Sequence, residues 1–410
     1  MGARLSALIV NYGSGGMACA LGRSLLLQWR ELGGAAEDLE LAVVDNASPG
    51  DQSQALGELV SLGARVLWSR ENLGYAAGMN LALEHTHGAA DDWVLVLNPD
   101  LGLFPGALAR LLETARGSRS LGAVGPRAYL DPARNWLMPP NRLPTPESEW
   151  LGARALHDGA LAERLSEERT RHALTQWTAR ESCPVEMLSG ACLLLPRAAI
   201  AAAGGLFDGR YPLYFEDTDL CRRLAGAGLD LILEPRAEIV HHWARSSGVE
   251  QADPEPARRH GLARAAYFER WFGPGARRPL DAADACLANP GPDPGARFEA
   301  AGACTAPPEW GFPRHGRWLV EVAMAPLFPL AAGALVEGAA WRMDPRAWEW
   351  FYRGRYFVQA VDPLSLRVAR AWSFEKLSPS RTQPLAPEEL LPGELLPGAQ
   401  AAAPEQGGPR

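Results

Sequence analysis

The chain has 410 residues, of which 47% are hydrophobic and 21% are charged, and its formal net charge is −8 at pH 7. This length suits one large α/β domain with a smaller companion, and the apolar fraction excludes global disorder. The net negative charge argues against a general nucleic-acid binder, which would carry a basic patch or stripe, but it is compatible with a local basic pocket for a diphosphate.

Strand and helix patterns alternate from the start of the chain. Continuous apolar runs are typical of strands buried on both faces of a parallel sheet, and segments with helical spacing of apolar residues lie between them. This order predicts an α/β fold with a Rossmann-like, doubly wound sheet and right-handed crossovers. The runs lie at 5–10, 41–44, 65–68 and 93–97, with a weaker one at 122–124, and the helical segments lie at 17–32, 52–62 and 75–85.

Residues 131–182 interrupt this alternation. Five prolines within 131–150 indicate a loop, and 154–176 is charged and weakly helical. We interpret the segment as an insertion or lid over the carboxyl edge of the sheet, where an acceptor-binding element can lie. Regular elements then return, with a strand at 185–195, helices at 196–203 and 216–227, and a strand at 229–233.

The composition changes after the first 275 residues, which we take as one domain, 1–275. Pro, Gly and Ala dominate 276–313, which predicts a linker. Aromatic and β-branched residues in 314–377 predict a small β-rich accessory region, and the Pro- and Glu-rich segment 378–410 predicts a disordered tail. Within the accessory region, strands are expected at 318–323, 355–361 and 365–374.

Cysteine spacing and apolar segments bear on the cellular location. The six cysteines form no C-x-x-C pair, which indicates a reducing compartment. The apolar run at 5–10 is too short for the core of a signal peptide. The stretch 322–336 is shorter than the roughly 20 residues that span a bilayer, which predicts burial, with a membrane-surface contact as the alternative. We therefore expect a cytoplasmic protein and leave open peripheral association at the inner face of the membrane.

Polar residues end the first two predicted strands. Asn11 follows the first strand, and Asp45 and Asn46 follow the second. Because ligands of open α/β sheets gather at the carboxyl ends of strands, the Asp45 carboxylate is placed to accept hydrogen bonds from a nucleotide base or a ribose. The alternative is that Asp45 and Asn46 only start a turn.

The third predicted helix begins within a glycine-containing motif, Glu71 to Asn80. Gly74 and Gly78 allow the backbone to approach a partner closely, and the free N–H groups of a helix N-terminus favour a diphosphate. An ordinary helix start with glycine-mediated packing explains the same pattern.

The strand at 93–97 runs directly into Asn98, Pro99 and Asp100. Pro99 fixes the backbone before Asp100, and Mg²⁺ commonly binds through one or two carboxylates together with substrate phosphates. A metal site at Asp100 is one interpretation, and a Pro-Asp turn is the other.

Three acidic residues, Glu216, Asp217 and Asp219, crowd the start of a later helix. The helix dipole favours acidic side chains there, so capping alone explains them, but a carboxylate at such a junction can also act as a general base. His241 and His242 end the next apolar run, and either can offer an imidazole nitrogen to a metal.

Together these stretches closely resemble the family 2 glycosyltransferases, in particular the bacterial rhamnosyltransferase-like branch. The resemblance covers about residues 5–250, and its specificity lies in the order of the motifs. The matching residues are Val10-Asn11-Tyr12, Val43 to Ser48, Glu71 to Gly78, Asn98-Pro99-Asp100, Ser189-Gly190-Ala191, Gly205 to Asp208, Phe215 to Arg223 and His241-His242.

The resemblance implies a GT-A fold with a mixed, mostly parallel sheet, and it implies roles for individual residues. Asp100 and His241 would hold Mg²⁺ or Mn²⁺, with His242 as the alternative ligand. Asp217 would be the catalytic base, with Glu216 the less favoured candidate. Asp45 would contact the nucleotide base, and the implied substrate-binding residues are Asn11, Asp45, Asn72, Gly74, Gly78, Asn98, Ser189 and Gly190.

Two positions and one region depart from the family pattern. Gly13 stands where many relatives have a second polar residue, and Asn98 stands in place of a first aspartate in the metal motif. The region after about residue 275 matches no pattern of the family.

The implied activity is an inverting, metal-dependent transfer of a sugar, with rhamnose favoured, from a nucleotide-diphosphate donor to a hydroxyl group. The expected acceptor is a glycan, a lipid-linked saccharide or a polysaccharide in cell-surface synthesis, and no nucleic acid is expected as a partner. The alternative is a non-catalytic nucleotide-sugar-binding protein whose aromatic C-terminal region binds a glycan or a partner. Aromatic residues more often form core, so the role of that region stays open.

Overall fold

The computed structural model describes residues 4–242, 255–289 and 297–381. From residue 382 onward, the tail predicted at 378–410 lies outside the described residues. Its first residues are ordered against the accessory region, because Ser380 is buried and the ammonium group of Lys376 donates to the backbone oxygen of Ser378. Residues 378–381 are therefore not part of a disordered tail.

Strands and helices alternate in the first part of the chain, as predicted. The strands are β1 Leu5–Asn11, β2 Leu39–Asp45, β3 Arg65–Trp68, β4 Trp93–Leu97, β5 Leu101–Leu103, β6 Leu121–Tyr129, β7 Cys183–Pro184, β8 Cys192–Pro196 and β9 Asp230–His241. The helices are α1 Gly15–Glu31, α2 Ser53–Ser61, α3 Tyr75–Glu84, α4 Ala107–Gly117, α5 Pro146–Arg154, α6 Gly159–Trp177, α7 Arg197–Ala202, α8 Glu216–Gly226, α9 Glu255–Phe272 and α10 Arg277–Ala288.

These nine strands form one mixed sheet in the order β3-β2-β1-β4-β8-β6-β9-β5, with β7 paired to β9. Strands β1 to β4 pair in parallel, and so do β6 and β9. β8 lies antiparallel between β4 and β6, and β5 and β7 run antiparallel to β9. The predicted α/β, GT-A-like, mixed and mostly parallel sheet is confirmed, and most strands end at one edge.

The sheet lies between two apolar cores because its central strands are apolar on both faces. Along β1, Leu5, Ala7 and Ile9 enter the core shared with α1, α2 and α4, whereas Leu8 and Val10 enter the core shared with α3, α7 and α8. Burying each Leu, Ile or Val side chain stabilises the fold by roughly 1.5–3 kcal/mol. The strand ends are therefore held by well-packed elements.

The single strand predicted at 185–195 is wrong. Two short strands, β7 and β8, stand there with a loop at 185–191 between them. Met187 and Leu188 are buried in this loop, and the Gly190 N–H donates to the Asp217 carboxylate at 2.9 Å instead of to a neighbouring strand. The apolar run therefore predicted burial correctly. It did not predict that the backbone N–H of Gly190 bonds to the side chain of Asp217 and not to a neighbouring strand.

The linker predicted at 276–313 is also wrong in structure. The segment contains α10 and two strands of a second sheet, β10 (Glu299–Cys304) and the start of β11 (Glu309–Ala323). α10 lies against α5, with Ala283 fully buried, and Leu280 packs on the apolar cluster of α9. Small alanine side chains let these helices pack closely even though the composition resembles a linker.

The C-terminal region forms a five-stranded sheet in the order β10-β14-β13-β11-β12, which confirms the predicted β-rich region. The strands expected at 318–323 and 355–361 fall within β11 and β13, and the strand expected at 365–374 overlaps β14, which begins only at Val368. The Ala- and Gly-rich strand β12 was not predicted, nor was β5. The remaining elements are β12 Ala332–Arg342, α11 Pro345–Trp348, β13 Gly354–Val361 and β14 Val368–Lys376.

This accessory sheet is joined to the insertion at 131–182. Leu137 and Gly333 exchange two backbone hydrogen bonds, at 2.8 and 3.0 Å. In α6, Arg169 forms a bidentate ion pair with the fully buried Glu321, at 2.7 and 2.8 Å. A moving lid would have to break these contacts, and the lid role of the insertion stays a prediction.

In the described ranges, no helix has the length and apolar character needed to cross a membrane. Within 322–336, Val322 and Ala334 are buried, whereas Met324 and Leu330 are about half exposed. All six cysteines are free thiols.

Candidate active site

The first predicted binding residues lie at the ends of β1 and β2. Asn11 Nδ2 donates to Asp45 Oδ1 at 2.8 Å, and the Ser48 hydroxyl donates to the same oxygen at 2.6 Å. Asp45 Oδ2 accepts the Ser48 N–H at 3.3 Å and, as a carboxylate oxygen, has capacity for a further donor. Asp45 therefore starts a turn, and the ligand contact predicted for its carboxylate stays a prediction.

The loop before α3 is organised around Asn46 and Asn72. Asn46 Nδ2 donates to Asn72 Oδ1 at 3.1 Å and to the Gly74 oxygen at 3.2 Å. Gly74 has a φ of 84°, and a Cβ there would lie 2.6 Å from the Pro212 oxygen. Glycine is thus required by both the backbone conformation and the close approach.

The start of α3 fits the packing alternative better than a diphosphate site. A Cβ at Gly78 would lie 2.9 Å from Val10 Cγ2, so Gly78 faces the core rather than a ligand. The Tyr75 N–H, the first of the helix, donates to the Pro212 oxygen at 3.3 Å. The structure therefore does not support the substrate contact predicted for Gly78.

Tyr75 joins two parts of the site and was missed by sequence reasoning. Its hydroxyl lies 2.7 Å from Asn98 Oδ1 and 3.0 Å from the Gly190 backbone oxygen. Burial, followed by the charges of Glu216 and Asp217, raises the pKa of Tyr75 well above its ordinary value, so this hydroxyl stays a donor at neutral pH. An aromatic residue opening a helix was the only sequence signal.

Asp100 and His241 face each other across the paired strands β5 and β9. His241 Nε2 lies 3.4 Å from Asp100 Oδ1 and 3.5 Å from Asn98 Nδ2. The His242 ring instead stacks on Trp350, with 3.7 Å between ring centroids and 13° between planes. Of the two histidines, His241 is the one placed against the predicted metal-binding carboxylate.

The donor atoms of Asp100 and His241 suit a divalent metal. Asp100 is 1% exposed, and its Oδ1 meets the His241 imidazole at 3.4 Å without a well-formed hydrogen bond from the described residues, an arrangement that is unfavourable unless something else satisfies that oxygen. Burial alone raises the pKa of Asp100, but His241 and His242 outweigh it, so the net pKa is below its ordinary value. The carboxylate is therefore charged at neutral pH.

A carboxylate oxygen and an imidazole nitrogen are ligands that Mn²⁺ accepts, and Mg²⁺ prefers the oxygen. Within the described residues, no group of three His, Cys, Asp or Glu side chains is arranged to hold a metal. The described side chains therefore fit a metal only as a pair, so further ligands would have to come from a substrate or water.

Asp217 lies in the first turn of α8, against the loop at 185–191. Its Oδ2 accepts the Gly190 N–H at 2.9 Å, and its Oδ1 accepts the Thr218 N–H at 2.7 Å. A Cβ at Gly190 would lie 2.9 Å from Asp217 Cβ, so glycine is needed for this approach. Burial raises the pKa of Asp217 although these two donors lower it, which makes it a stronger base than an ordinary aspartate.

Glu216 is more deeply buried than its neighbour, at 6% exposure. Burial, followed by the charge of Asp217, raises the pKa of Glu216 to about 8. Its Oε2 has no hydrogen-bond partner among the residues described. Glu216 is therefore largely protonated at neutral pH, and the two adjacent carboxyl groups are suited to different roles.

The backbone enters α8 in an uncommon conformation. Tyr214 and Phe215 have φ values of 69° and 67°, in the left-handed region that few non-glycine residues adopt. Each such residue costs of order 1–3 kcal/mol and persists only where the surroundings hold it. The Phe215 ring packs on Tyr267 with centroids 5.1 Å apart, which fixes the direction in which Glu216 and Asp217 leave the turn.

The third acidic residue, Asp219, has a structural role. It is fully buried, and it accepts hydrogen bonds from Arg223 Nε at 2.7 Å and from Trp271 Nε1 at 2.9 Å. Arg223 in turn donates to the backbone oxygens of Gly205 and Leu206. Asp219 thus connects α8 with α9 and the preceding loop.

A continuous series of contacts connects the predicted metal pair with the predicted base. Ser189, which accepts the Ala191 N–H at 3.2 Å, lies beside this series, whereas Asn11, Asp45 and Asn72 lie further along the same edge. The series runs through Asp100, His241, Asn98, Tyr75, Gly190 and Asp217.

Comparison with known proteins gives matches for the first part of the chain. A family model described as Glycosyl transferase family 2 matches residues 6–179. The N-acetylglucosaminyl-diphospho-decaprenol L-rhamnosyltransferase of Mycobacterium tuberculosis is 32% identical over 227 residues, which are 52% of this chain and 70% of that protein.

Two solved structures are similar at low identity. The mannosyltransferase PcManGT from Pyrobaculum calidifontis, in complex with GDP-Man and Mn²⁺, is 18% identical with a TM-score of 0.37, over 70% of this chain and 74% of that one. S. aureus TarS 1-349 in complex with UDP is 15% identical with a TM-score of 0.40, over 67% of this chain and 73% of that one.

Proposed function

Because this chain belongs to glycosyl transferase family 2, we propose that it is a metal-dependent, inverting transferase. It moves a sugar from a nucleotide-diphosphate donor to a hydroxyl group of an acceptor. The observation that supports this proposal is the contact series that runs from Asp100 and His241, through Asn98, Tyr75 and Gly190, to Asp217.

Asp217 removes the proton of the acceptor hydroxyl as that oxygen attacks the anomeric carbon from the side opposite the leaving diphosphate. A single displacement of this kind inverts the anomeric configuration. The N–H groups of Gly190 and Thr218 orient the carboxylate. Glu216, with its pKa of about 8, is largely protonated at neutral pH and has no free carboxylate to take the proton, which favours Asp217 for the role.

Asp100 and His241 would hold Mg²⁺ or Mn²⁺, with diphosphate oxygens and water as further ligands. A bound divalent ion supplies Lewis-acid stabilisation of the charge that develops on the leaving diphosphate. Asn98 contacts both His241 and the Tyr75 hydroxyl, and it orients the metal-binding imidazole. Holding donor and acceptor together in this geometry supplies much of the acceleration.

The donor nucleotide lies along the same edge, with Asp45 accepting hydrogen bonds from the base or ribose and Asn11 and Ser48 orienting it. We favour L-rhamnose as the transferred sugar and a lipid-linked glycan as the acceptor, because the relative in M. tuberculosis is named for both. With such an acceptor, we propose that the protein acts in the cytoplasm at the inner face of the membrane.

The donor is identified by measuring how much each nucleotide sugar of a panel raises Tm, with and without Mn²⁺. Ligands that bind only the folded state raise Tm, so the correct donor raises Tm more in the presence of the metal. Transfer assays with and without EDTA, with the anomeric product followed by NMR, separate an inverting enzyme from a non-catalytic binding protein. Retention of configuration, or no transfer with any donor that binds, contradicts the proposal.

The metal pair is tested by comparing His241→Ala with the matched control His242→Ala. Electron paramagnetic resonance measures the affinity of the protein for Mn²⁺ in the presence of the nucleotide-diphosphate donor. In His241→Ala we expect this affinity to fall about tenfold or more, as it does when a metal ligand or its orienting partner is lost. It falls much less in His242→Ala. Equal losses in the two variants contradict the assignment of His241.

A further inference from the structure

A cleft of about 380 Å³ lies between the loop that follows β6 and the strand β12 of the accessory sheet. Its volume is in the lower part of the range that binds small ligands. Its walls come from the insertion at 131–182 and from the C-terminal sheet. The residues that matter most are three aromatic and three polar side chains: Tyr129, Trp177, Trp341, Arg134, Asn135 and Glu337.

The aromatic rings are held in place by the protein. Trp177 Nε1 donates to the Met138 oxygen at 2.8 Å, and the backbone of Gly333 lies directly against the Trp177 ring. Trp341 stacks on Trp310, with centroids 5.4 Å apart and 16° between planes. The cleft is therefore formed before any ligand arrives, which reduces the entropy lost on binding.

The polar groups include both hydrogen-bond donors and acceptors. The Arg134 guanidinium pairs with Glu238 Oε2 at 3.0 Å and lies over the Phe104 ring. Asn135 brings an amide to the wall, and Glu337 is an exposed carboxylate on β12. These three side chains line the same cleft as the aromatic rings.

This combination fits a carbohydrate better than other ligands. The apolar face of a pyranose packs on aromatic rings, and its hydroxyl groups both donate and accept hydrogen bonds. An acyl chain would cover the exposed Glu337 carboxylate with apolar groups, which is unfavourable. A nucleic acid would meet the Glu337 carboxylate, and the one arginine of the wall is already paired.

The cleft also lies close to the candidate active site. Tyr129 is the register partner of Val240 in β9, and Val240 directly precedes His241. We propose that this cleft is a second carbohydrate-binding site that holds a sugar unit of the acceptor glycan away from the reacting hydroxyl. The identity of that glycan as the acceptor rests on the proposed function.

Binding is tested by calorimetry and ligand-observed NMR on the full chain, without donor or metal. The probes are a rhamnose-containing trisaccharide, chitotriose and maltotriose. At least one probe binds the wild type, and Glu337→Ala weakens it about fivefold, the effect of losing one hydrogen bond. Trp341→Phe keeps an aromatic ring but offers the sugar a smaller ring face, so we expect it to weaken binding. Glu375→Ala, an exposed carboxylate on β14 of the same sheet, leaves binding unchanged.

The proposal is overturned if no probe binds, or if Glu337→Ala and Glu375→Ala bind equally well. In transfer assays with an extended acceptor, we expect Glu337→Ala to raise KM and leave kcat unchanged. An unchanged KM would show that the cleft does not bind the acceptor. A protein that binds the probes but transfers no sugar refutes the proposed function while the binding site stands, so the two failures are distinguishable.

Discussion

At the scale of single residues, the neighbouring carboxyl groups of Glu216 and Asp217 give the sharpest test of mechanism. Asp217→Asn keeps the size of the side chain and removes the base, so we expect kcat to fall by about 10²–10⁴, the usual contribution of a general base. Donor affinity, measured by calorimetry, stays near that of the wild type.

The matched control is Glu216→Gln, which resembles the protonated form of Glu216 that dominates at neutral pH. Its kcat stays within a few-fold of the wild type. A large loss in Glu216→Gln together with full activity in Asp217→Asn would reverse the assignment of the base.

Glu216 also predicts how stability depends on pH. Its pKa is about 8 in the folded protein and near the ordinary 4.5 in the unfolded chain. The unfolded state therefore binds fewer protons between these values, and stability falls as pH rises through this window. We expect the free energy of unfolding from urea titrations to decrease from pH 5 to pH 8, and we expect Glu216→Gln to flatten this slope. An equal slope in the variant would show that other groups cause it.

At the scale of elements, the loop at 185–191 sets the position of the base through Gly190. In Gly190→Ala the new methyl group would meet Asp217 Cβ, so the loop or the carboxylate must move by a few tenths of an ångström or more. We expect kcat to fall at least tenfold, because small displacements of catalytic groups are costly, while circular dichroism shows an intact fold.

The control is Gly57→Ala in α2, where a Cβ meets nothing within 4 Å. Alanine is preferred over glycine inside a helix by roughly 0.5–1 kcal/mol, so this variant keeps full activity and gains slightly in Tm. Wild-type kcat in Gly190→Ala would show that the close approach to Asp217 is not needed.

The elements also show how far the sequence was predictive. Strands such as β1 and β4 were predicted because burial on both faces leaves a nearly continuous apolar run, which only Ser6 breaks in β1 before Asn11. The role of Tyr75 was not predictable, since its hydroxyl partners lie 23 and 115 residues away in the chain. Segment 276–313 was predicted as a linker because of its Pro, Gly and Ala content, and the one buried residue of its helix, Ala283, is small.

The candidate site was predictable only where its residues lie in sequence motifs. Asp100, Asp217 and His241 lie in motifs whose order identifies the family, and the structure connects them. The packing role of Gly78 and the structural role of Asp219 depend on Val10 and on Arg223, Trp271 and their neighbours. Such partners are set by tertiary packing, which local sequence does not encode.

At the scale of the whole molecule, Glu321 determines whether the accessory sheet and the insertion are one cooperative unit. Its buried carboxylate accepts hydrogen bonds from Arg169 at 2.7 and 2.8 Å and from Gln359 at 2.6 Å. Glu321→Ala leaves the largely buried Arg169 guanidinium without this carboxylate. Removing one member of a buried ion pair lowers the free energy of unfolding by about 3–5 kcal/mol.

Glu309→Ala is the control on the same strand, β11, because its pair with Arg342 at 2.7 Å is exposed on both sides and such pairs contribute at most about 1 kcal/mol. In calorimetry we expect one transition that moves to a much lower temperature in Glu321→Ala and little in Glu309→Ala. Donor-induced stabilisation should shift together with that transition, since His242, which directly follows β9, stacks on Trp350 of the accessory region. Two separate transitions, of which only one moves, would instead mean that the accessory sheet folds independently and that its contacts with the insertion do not support the active site.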